Sequence, residues 1–289
     1  ALSSCQIKLY ADDAKVFDFK KKSEVSVAGL QRDLTSLQLW CNEWQMSING
    51  GKCSLLQIGW NPIPNTRYVL GGTDATREAC VKDLGVQISG RLTFAEHCSY
   101  VVSNASRRVG LVYRAFSSRD AQFMIGMFVT YVRPLLEYNT EVWSPVYLRD
   151  IDKVESIQRS FTKRIKGLFN KTYLERLEYC SLESLELRRI KTDVMLVYKM
   201  MHKMVDLSFD DYFKYAPVVG TRGNSLKLYP SLATKVVTFN YFGNRVVNYW
   251  NALPEVVVTA PSLAVFKKKL LEHQNCLLVF LKGRALRNP

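Results

Sequence analysis

Two short runs of alternating apolar and polar residues begin the sequence, and only three residues separate them. The first run is Cys5 to Tyr10, and the second is Ala14 to Phe17. Alternation of this kind predicts half-buried β-strands, and a connection this short permits only an antiparallel pair. The sequence therefore predicts a β-hairpin that carries two adjacent carboxylates, Asp12 and Asp13, at its tip.

The rest of the first hundred residues mixes one helix with further strands. Apolar residues recur at helical spacing from about residue 28 to 46, and this amphipathic helix is expected to end before Asn49-Gly50-Gly51. Three strand candidates follow, and they are Cys53 to Ile58, Tyr68 to Leu70, and Lys82 to Ser89 before a turn at Gly90. This region is expected to form an antiparallel sheet with its helix.

From Thr93 onward the apolar spacing is helical. The predicted helices are one starting near Thr93, then 119–133 stopped by Pro134, 148–168, 183–204, one from about Asn240 to Pro254, and a last helix capped by Ser262. The whole chain is predicted to be α+β. We place the domain boundaries near residues 92 and 212, which gives segments 1–92, 93–212 and 213–289.

Basic residues outnumber acidic ones, and the excess grows along the chain. Residues 1–100 contain 11 Lys or Arg against 10 Asp or Glu, residues 101–215 contain 19 against 14, and residues 216–289 contain 10 against 2. Hydrophobic residues make up 47% of the chain, which excludes a disordered protein. No apolar stretch approaches the roughly 20 residues that cross a bilayer. A nucleic-acid partner is therefore expected, and a membrane partner is not.

The cysteines and histidines show no metal-site spacing. Seven cysteines occur singly, without a CxxC pair, and only three histidines accompany them. An odd, dispersed set of thiols predicts buried free cysteines in a reducing compartment rather than zinc ligands or disulfides. We therefore expect an intracellular protein of the cytoplasm and nucleus.

Asp12 and Asp13 are the residues most suggestive of chemistry. Carboxylates exposed at a hairpin tip concentrate negative charge where hard divalent cations bind through oxygen ligands, and a pair of Mg²⁺ ions held in this way suits phosphoryl transfer. Asp-Asp is also a good turn dipeptide that needs no ligand. The tetrapeptide by itself leaves both interpretations open.

The surrounding sequence resembles a known family. A strand, Tyr10-Ala11-Asp12-Asp13, a strand, a helix and the turn Asn49-Gly50-Gly51-Lys52 together resemble motifs C and D of the reverse transcriptase palm. More narrowly, the sequence is similar to the non-LTR (LINE) retrotransposon polymerases of the jockey and chicken-repeat-1 type. Three further segments also resemble these proteins. They are the strand Lys82 to Val86 with its turn at Gly90 as a primer-grip hairpin, Ile157 to Ile165 as a thumb helix, and Arg222 to Leu228 with Arg245 to Pro254 near the C-terminus.

The resemblance implies roles for the hairpin residues. Asp12 would be a direct ligand of two catalytic Mg²⁺ ions, and Asp13 would be the weaker carboxylate on the primer side. Tyr10 and Ala11 would lie beside the primer terminus. Lys52 matches the motif D lysine that is thought to protonate the leaving pyrophosphate, although an ordinary solvated lysine after a Gly-Gly turn is equally consistent with the sequence.

The resemblance also implies contacts with nucleic acid. Leu84 and Gly85 would hold the primer backbone. The helix at 148–168 has one apolar face and one cationic face, and the cationic face would follow the phosphates of the template duplex, although a solvated helix face is the alternative. The expected nucleic-acid-binding residues are Arg159, Lys163, Arg164, Lys166, Lys171, Arg222 and Lys227. Tyr249 and Trp250 could stack on bases, but their helical spacing favours the core.

The predicted function is that of a fragment of a retrotransposon RNA-directed DNA polymerase. Residues 1–92 would be the C-terminal half of the palm with motifs C, D and E, residues 93–212 a helical thumb, and residues 213–289 a basic C-terminal domain. Its partners would be an RNA template, a DNA primer and a dNTP.

A further metal-binding aspartate (motif A), the fingers and an endonuclease domain precede this region in such enzymes, so we expect the 289 residues alone to be inactive. The alternatives are a nucleic-acid-binding relic or domesticated module without chemistry, and an unrelated basic scaffold. An incomplete palm would also expose a sheet edge and an apolar face, which predicts poor solubility.

Overall fold

The computed structural model describes residues 5–19, 27–59, 67–217, 223–230 and 236–282. The chain divides into two compact units, here called unit 1 (Ala1–Leu92) and unit 2 (Thr93–Pro289). Unit 1 combines short strands with one long helix, and unit 2 is almost entirely helical. The α+β class is therefore confirmed, whereas the assignment of segments to palm, thumb and C-terminal domain stays a prediction.

Unit 1 contains eight described strands and one α-helix. They are β1 (Gln6–Tyr10), β2 (Asp13–Phe17), α1 (Val27–Glu43), β3 (Ser54–Leu56), β4 (Val69–Leu70), β5 (Thr73–Asp74), β6 (Thr76–Glu78), β7 (Cys80–Asp83) and β8 (Val86–Ser89). A single 3₁₀ turn, Gly50–Lys52, precedes β3. The predicted first hairpin and the helix after it are both present, and α1 ends three residues before the predicted limit.

The strands of unit 1 pair in twos rather than in one sheet. Among the described residues, β1–β2, β4–β5 and β7–β8 are antiparallel pairs, and β3–β6 is a parallel pair. The expectation of one antiparallel sheet is therefore wrong for this part of the chain. The strands are two to five residues long.

The predicted strand Lys82 to Ser89 is instead a hairpin. Asp83 pairs with Val86, so that Leu84 and Gly85 form a two-residue turn, with φ of 43° and 88° respectively. A turn of this type needs positive φ at both central positions, which Gly85 adopts without a steric penalty. Reading the alternating residues as one continuous strand overlooked this turn.

Unit 2 contains the remaining helices. They are α2 (Ala95–Ala115), α3 (Ala121–Met127), α4 (Arg133–Glu137), α5 (Thr140–Trp143), α6 (Leu148–Lys163), α7 (Tyr173–Tyr179), α8 (Leu185–Met201), α9 (Val236–Asn240), α10 (Phe242–Asn251), α11 (Glu255–Val258), α12 (Leu263–Glu272) and α13 (Asn275–Leu278). As predicted, Ser262 caps α12, because its hydroxyl accepts a hydrogen bond from the Val265 amide.

Two predicted helix ends in unit 2 are wrong. Pro134 does not stop the helix that begins near 121, because a π-helical segment, Phe128–Val132, leads directly into α4 and places the proline in its first turn. The proline has no amide to donate to the preceding turn, and the wider π-helical segment lies directly before it. The helix predicted over 148–168 ends at Lys163, and Gly167 with φ of 82° lies in the turns that follow.

Residues before and after position 212 share one hydrophobic core. Val194, Val197 and Tyr198 of α8 are fully buried against residues of α10 and α12, including Trp250 and Phe266. The Tyr198 ring lies 4.3 Å from that of Phe266, and its hydroxyl donates to the Ala260 carbonyl. These contacts make residues 93–282 one packed body in the described structure.

Buried charged side chains also lie in unit 2. Arg245 forms a two-pronged pair with Asp193, at 2.8 and 2.9 Å, and also donates to the Glu141 carbonyl. Glu155 accepts hydrogen bonds from the Leu185 and Glu186 amides, so it caps α8 from a neighbouring helix. Burial raises the pKa of both Asp193 and Glu155.

The two C-terminal segments that resemble the family are joined to each other by hydrogen bonds. The Asn224 side chain donates to the Trp250 and Leu253 carbonyls, and the Asn251 side chain both donates to and accepts from the Leu228 backbone. The Trp250 indole donates to the Leu226 carbonyl. Trp250 is thus a core residue, as its helical spacing favours.

The segment 274–282 is also part of the core, although no resemblance covered it. Leu277 is fully buried, Gln274 accepts a 2.6 Å hydrogen bond from Lys191, and the Lys282 amide donates to Glu186. No helix in the described part of the chain is long and apolar enough to span a bilayer.

Candidate active-site hairpin and nucleic-acid interface

The two aspartates of the first hairpin occupy different backbone positions. Tyr10 pairs with Asp13, so Ala11 and Asp12 form the two-residue turn, and Asp13 is the first residue of β2. Ala11 has a φ of 52°, in the left-handed region that a tight hairpin turn demands. All four residues of Tyr10 to Asp13 are exposed, which leaves both carboxylates open to a ligand.

The hairpin is attached at both ends to other parts of unit 1. At its start, the Cys5 amide donates a 2.9 Å hydrogen bond to the carboxylate of Asp33, a buried residue of α1. In β2, Lys15 forms a 2.5 Å ion pair with Asp83 at the end of β7. The second contact brings the aspartate-bearing hairpin beside the turn of Leu84 and Gly85.

This juxtaposition was missed in the sequence. Lys15 lies two residues after Asp13, and Asp83 directly precedes Leu84, so one ion pair ties the predicted catalytic hairpin to the predicted primer-holding turn. Leu84 is 41% exposed. Only the opposite charges offered a signal, and unit 1 contains many other possible pairs.

Lys52 lies at the end of the 3₁₀ turn Gly50–Lys52, and its side chain is exposed. Among the described residues, no hydrogen bond or ion pair joins it to the Tyr10–Asp13 hairpin. A proton donor must reach the departing group, so the structure leaves the assigned role of Lys52 a prediction.

Asp12 and Asp13 fit a magnesium site only in part. Oxygen ligands suit Mg²⁺, and both carboxylates are accessible. Within the described ranges, however, no three His, Cys, Asp or Glu side chains group closely enough to hold a metal ion. The described residues therefore supply part of a ligand set and not a complete one.

The cations predicted to contact nucleic acid do not all lie on one face of a helix. Lys163 is the last residue of α6, and Arg164, Lys166 and Lys171 follow the helix in a segment here called the basic loop, residues 164–171. These four side chains are exposed. Arg159 instead turns toward Asp152, at 3.9 Å, and lies over the Tyr173 ring.

Arg164 is held on an aromatic ring. Its guanidinium lies 3.8 Å from the centroid of Tyr113, and Arg119 lies 5.0 Å from the same ring. Burial raises the pKa of Tyr113 to about 12, so its hydroxyl stays protonated and donates to the Phe161 carbonyl. This stacking fixes the end of α2 against the end of α6.

The other two predicted cations lie far along the chain in sequence. Arg222 lies outside the described residues. Lys227 is partly buried beside the isolated bridge that pairs Tyr215 with Leu228, and its side chain lies close to Gly223.

Comparison with known proteins identifies relatives by sequence. The chain is 23% identical over 164 residues to the RNA-directed DNA polymerase from mobile element jockey of Drosophila melanogaster, a match that covers 56% of this chain and 18% of that protein. It is 22% identical over 163 residues, 54% of this chain, to the probable RNA-directed DNA polymerase from transposon BS of the same fly, again over 18% of the relative.

A shorter relative comes from a nematode. The uncharacterized protein B0403.1 of Caenorhabditis elegans is 27% identical over 113 residues, which are 38% of this chain and 57% of that protein. No protein-family model matches the chain, and no solved structure matches it.

The matches thus span less than a fifth of the length of the two fly polymerases. They agree with the resemblance that Tyr10-Ala11-Asp12-Asp13 and its flanking segments suggested. That resemblance is confirmed, and the chain is similar to the RNA-directed DNA polymerases of jockey-type non-LTR retrotransposons.

Proposed function

We propose that the chain is part of a retrotransposon RNA-directed DNA polymerase and contributes one carboxylate-bearing hairpin to its catalytic centre. The observation that carries the proposal is the exposed pair Asp12 and Asp13 at a two-residue turn, in a chain similar to such polymerases. Its substrates would be an RNA template, a DNA primer and a dNTP, as part of target-primed reverse transcription. The reducing cytoplasm and nucleus would be its location.

The hairpin is suited to positioning rather than to acting alone. Its short turn holds Asp12 forward of the β1–β2 ladder, and Asp13 is fixed by its pairing with Tyr10. Two Mg²⁺ ions, bound by these carboxylates and at least one further ligand, would supply the charge neutralisation that nucleotidyl transfer requires. Leu84 and Gly85, tied to the hairpin through the Lys15–Asp83 pair, would support the primer backbone beside it.

Because the described residues hold only part of a ligand set, the 289 residues by themselves are proposed to be inactive. Primer extension on a homopolymeric RNA template with Mg²⁺ should yield no product from this chain. A product that Asp12→Asn abolishes would contradict the proposed inactivity. Adding the upstream catalytic half of the palm, with its motif A aspartate and fingers, should restore extension, and Asp12→Asn should then abolish it.

Metal binding provides a test that does not depend on activity. Mn²⁺, a paramagnetic substitute for Mg²⁺, should broaden the NMR amide signals of Tyr10 to Asp13 in the 289-residue chain, and a chelator should reverse the effect. Asp12→Asn should weaken the broadening. Asp74→Asn, which removes another exposed carboxylate of unit 1, serves as the matched control and should leave it unchanged. Equal broadening in both variants would refute the assignment.

A second candidate function is a nucleic-acid-binding module without chemistry, as a relic or a domesticated product. The exposed cations of the basic loop favour it, because residues 156–174 contain no Asp or Glu. In this case RNA binding should weaken steeply with salt, since each neutralised phosphate releases counterions. Asp12→Asn should leave the affinity unchanged. Salt-independent binding would contradict both functions.

A further inference from the structure

The basic loop is rigidly anchored although it lies on the surface. Ile165 and Leu168 are almost fully buried, at 2% and 1% exposure, and so fasten the loop to the core of unit 2. The Lys166 amide donates to the Arg119 carbonyl, at 3.3 Å. The backbone between these anchors is therefore held in place.

The far end of the basic loop is fastened by a buried arginine. Arg176 of α7 donates to the Lys171 carbonyl at 2.9 Å and to the Thr162 hydroxyl at 3.2 Å. Arg176 is only 5% exposed. The loop thus contacts α6, α7 and the segment after α2, and it needs little reordering to accept a ligand.

Phe169 is displayed by this rigid loop. Its side chain is 68% exposed, whereas Leu168 beside it is buried. The Lys163 ammonium lies 5.1 Å from the centroid of the Phe169 ring, so a cation accompanies the exposed aromatic surface. An exposed aromatic ring beside a cation matches an unpaired base next to its phosphate.

The charge around Phe169 favours an anion. The nearest acid along the chain, Glu175, closes a capping box with Thr172, and those hydrogen bonds lower its pKa. Lys163 and Arg164 lie at the end of α6, where cations also offset the partial negative charge of the helix terminus. Lys166 and Lys171 make no ion pair among the described residues, and the charge of Lys171 contributes to lowering the pKa of the Glu175 carboxyl. The charge of Lys166 is available to phosphates.

We infer that the basic loop binds single-stranded nucleic acid, with Phe169 stacking on one unpaired base while Lys163, Lys166 and Lys171 contact the adjoining phosphates. The inference rests on the proposed nucleic-acid function and deepens it, because a cationic surface alone would bind a duplex equally well. Phe169 could not stack on bases that are already paired and stacked.

Fluorescence anisotropy with the 289-residue chain tests this inference. The probes are labelled single-stranded RNA and single-stranded DNA of about 12 nucleotides, the corresponding duplex, and an abasic strand of the same length. Phe169→Ala should weaken binding of at least one single strand by about five- to a hundredfold, while affinity for the duplex and the abasic strand stays unchanged. Phe169→Trp should retain the affinity, because the larger ring still stacks.

Two control variants keep the result interpretable. Tyr179→Ala removes another exposed aromatic side chain of unit 2, at 60% exposure and beside Glu178, and should have no effect. Lys166→Glu should weaken all probes and reduce the salt dependence. Phe169 is exposed, so Phe169→Ala should melt at the same temperature as the unaltered chain.

The possible outcomes distinguish a failure of the single-strand inference from a failure of the proposed nucleic-acid function. If Phe169→Ala weakens no probe, or weakens duplex and single strands alike, the single-strand inference is overturned while nucleic-acid binding stands. If the unaltered chain binds none of the probes, both are overturned.

Discussion

Units 1 and 2 differ most in how much apolar surface each one buries. In the described residues of unit 1 only four apolar side chains are buried, and they are Leu34, Cys41, Tyr68 and Val86. Several large ones are instead exposed, and they include Leu9, Phe19, Leu39, Trp40 and Trp44. Unit 2 buries apolar side chains along almost every helix. Burial of apolar surface is the main favourable contribution to folding, so stability should reside in unit 2.

The two units also differ in the functional groups that they carry. The carboxylate hairpin lies in the unit with the small core, and the exposed cations of the basic loop lie in the unit with the large one. A chain of this kind should bind nucleic acid through a stable body. The geometry of the hairpin should depend more on whatever polypeptide covers the exposed apolar side chains of unit 1.

Separating the two units should produce the largest effect. Residues 93–289 expressed alone should unfold cooperatively, whereas residues 1–92 should aggregate or show no protected amides, because four buried apolar side chains cannot offset the conformational entropy of 92 residues. Circular dichroism melting, sedimentation and amide hydrogen exchange would measure this. A soluble, protected fragment 1–92 would contradict the comparison.

Breaking one ion pair in each unit should lower the free energy of unfolding by unequal amounts. Arg245→Ala strands the buried carboxylate of Asp193 and should lower the free energy of unfolding by about 3–5 kcal/mol. Lys15→Ala breaks the more exposed pair with Asp83 and should cost at most about 1 kcal/mol. Urea denaturation monitored by tryptophan fluorescence would compare them.

A double variant provides the control for that comparison. Asp193→Leu combined with Arg245→Met removes both buried charges and should recover much of the lost stability. If Arg245→Ala and Lys15→Ala lowered the free energy of unfolding equally, the buried pair of unit 2 would contribute no more than the exposed pair of unit 1, and the comparison would be contradicted.

A smaller effect than that of Arg245→Ala is the pH dependence that His97 gives to the stability of unit 2, the unit that contains all three histidines. Burial lowers the pKa of His97 to about 4, so the unfolded chain binds a proton at pH 5 that native His97 does not. Stability from this group is complete above about pH 6.5 and is lost as the pH falls toward 4, by up to about 3 kcal/mol.

The free energy of unfolding should be measured against pH for the unaltered chain and for His97→Gln. The difference between the two isolates the effect of His97, because the buried carboxylates Glu155 and Asp193 contribute equally to both. His202→Gln changes an exposed histidine and should leave the pH profile unaltered. If the free energies of unfolding of His97→Gln and of the unaltered chain changed in parallel between pH 7 and 4.5, His97 would not be the source of the pH dependence.

Features with a short-range cause were predictable from the sequence. The β1–β2 hairpin follows from alternation and a three-residue gap, and the cap of α12 follows from Ser262 before an apolar helical run. The carboxylates of Asp12 and Asp13 were predicted at the tip, and the structure places them there. Each of these depends on neighbours within a few residues.

Features with long-range causes were not predictable. The exposure of Phe169 depends on Leu168 being the side chain that the core accepts. The Lys15–Asp83 contact joins residues 68 positions apart. Opposite charges occur too often in the sequence to single out that pair.

The sequence by itself determined the class of the fold, the first hairpin with its two aspartates, and the relationship to retrotransposon polymerases. Only the tertiary structure decided that residues 93–282 pack as one body, that segment 274–282 belongs to its core, and that the cations after Lys163 form a loop around an exposed ring. The physical reason is that local backbone preferences act between neighbouring residues, whereas burial and ion pairing depend on which distant segments share the same space.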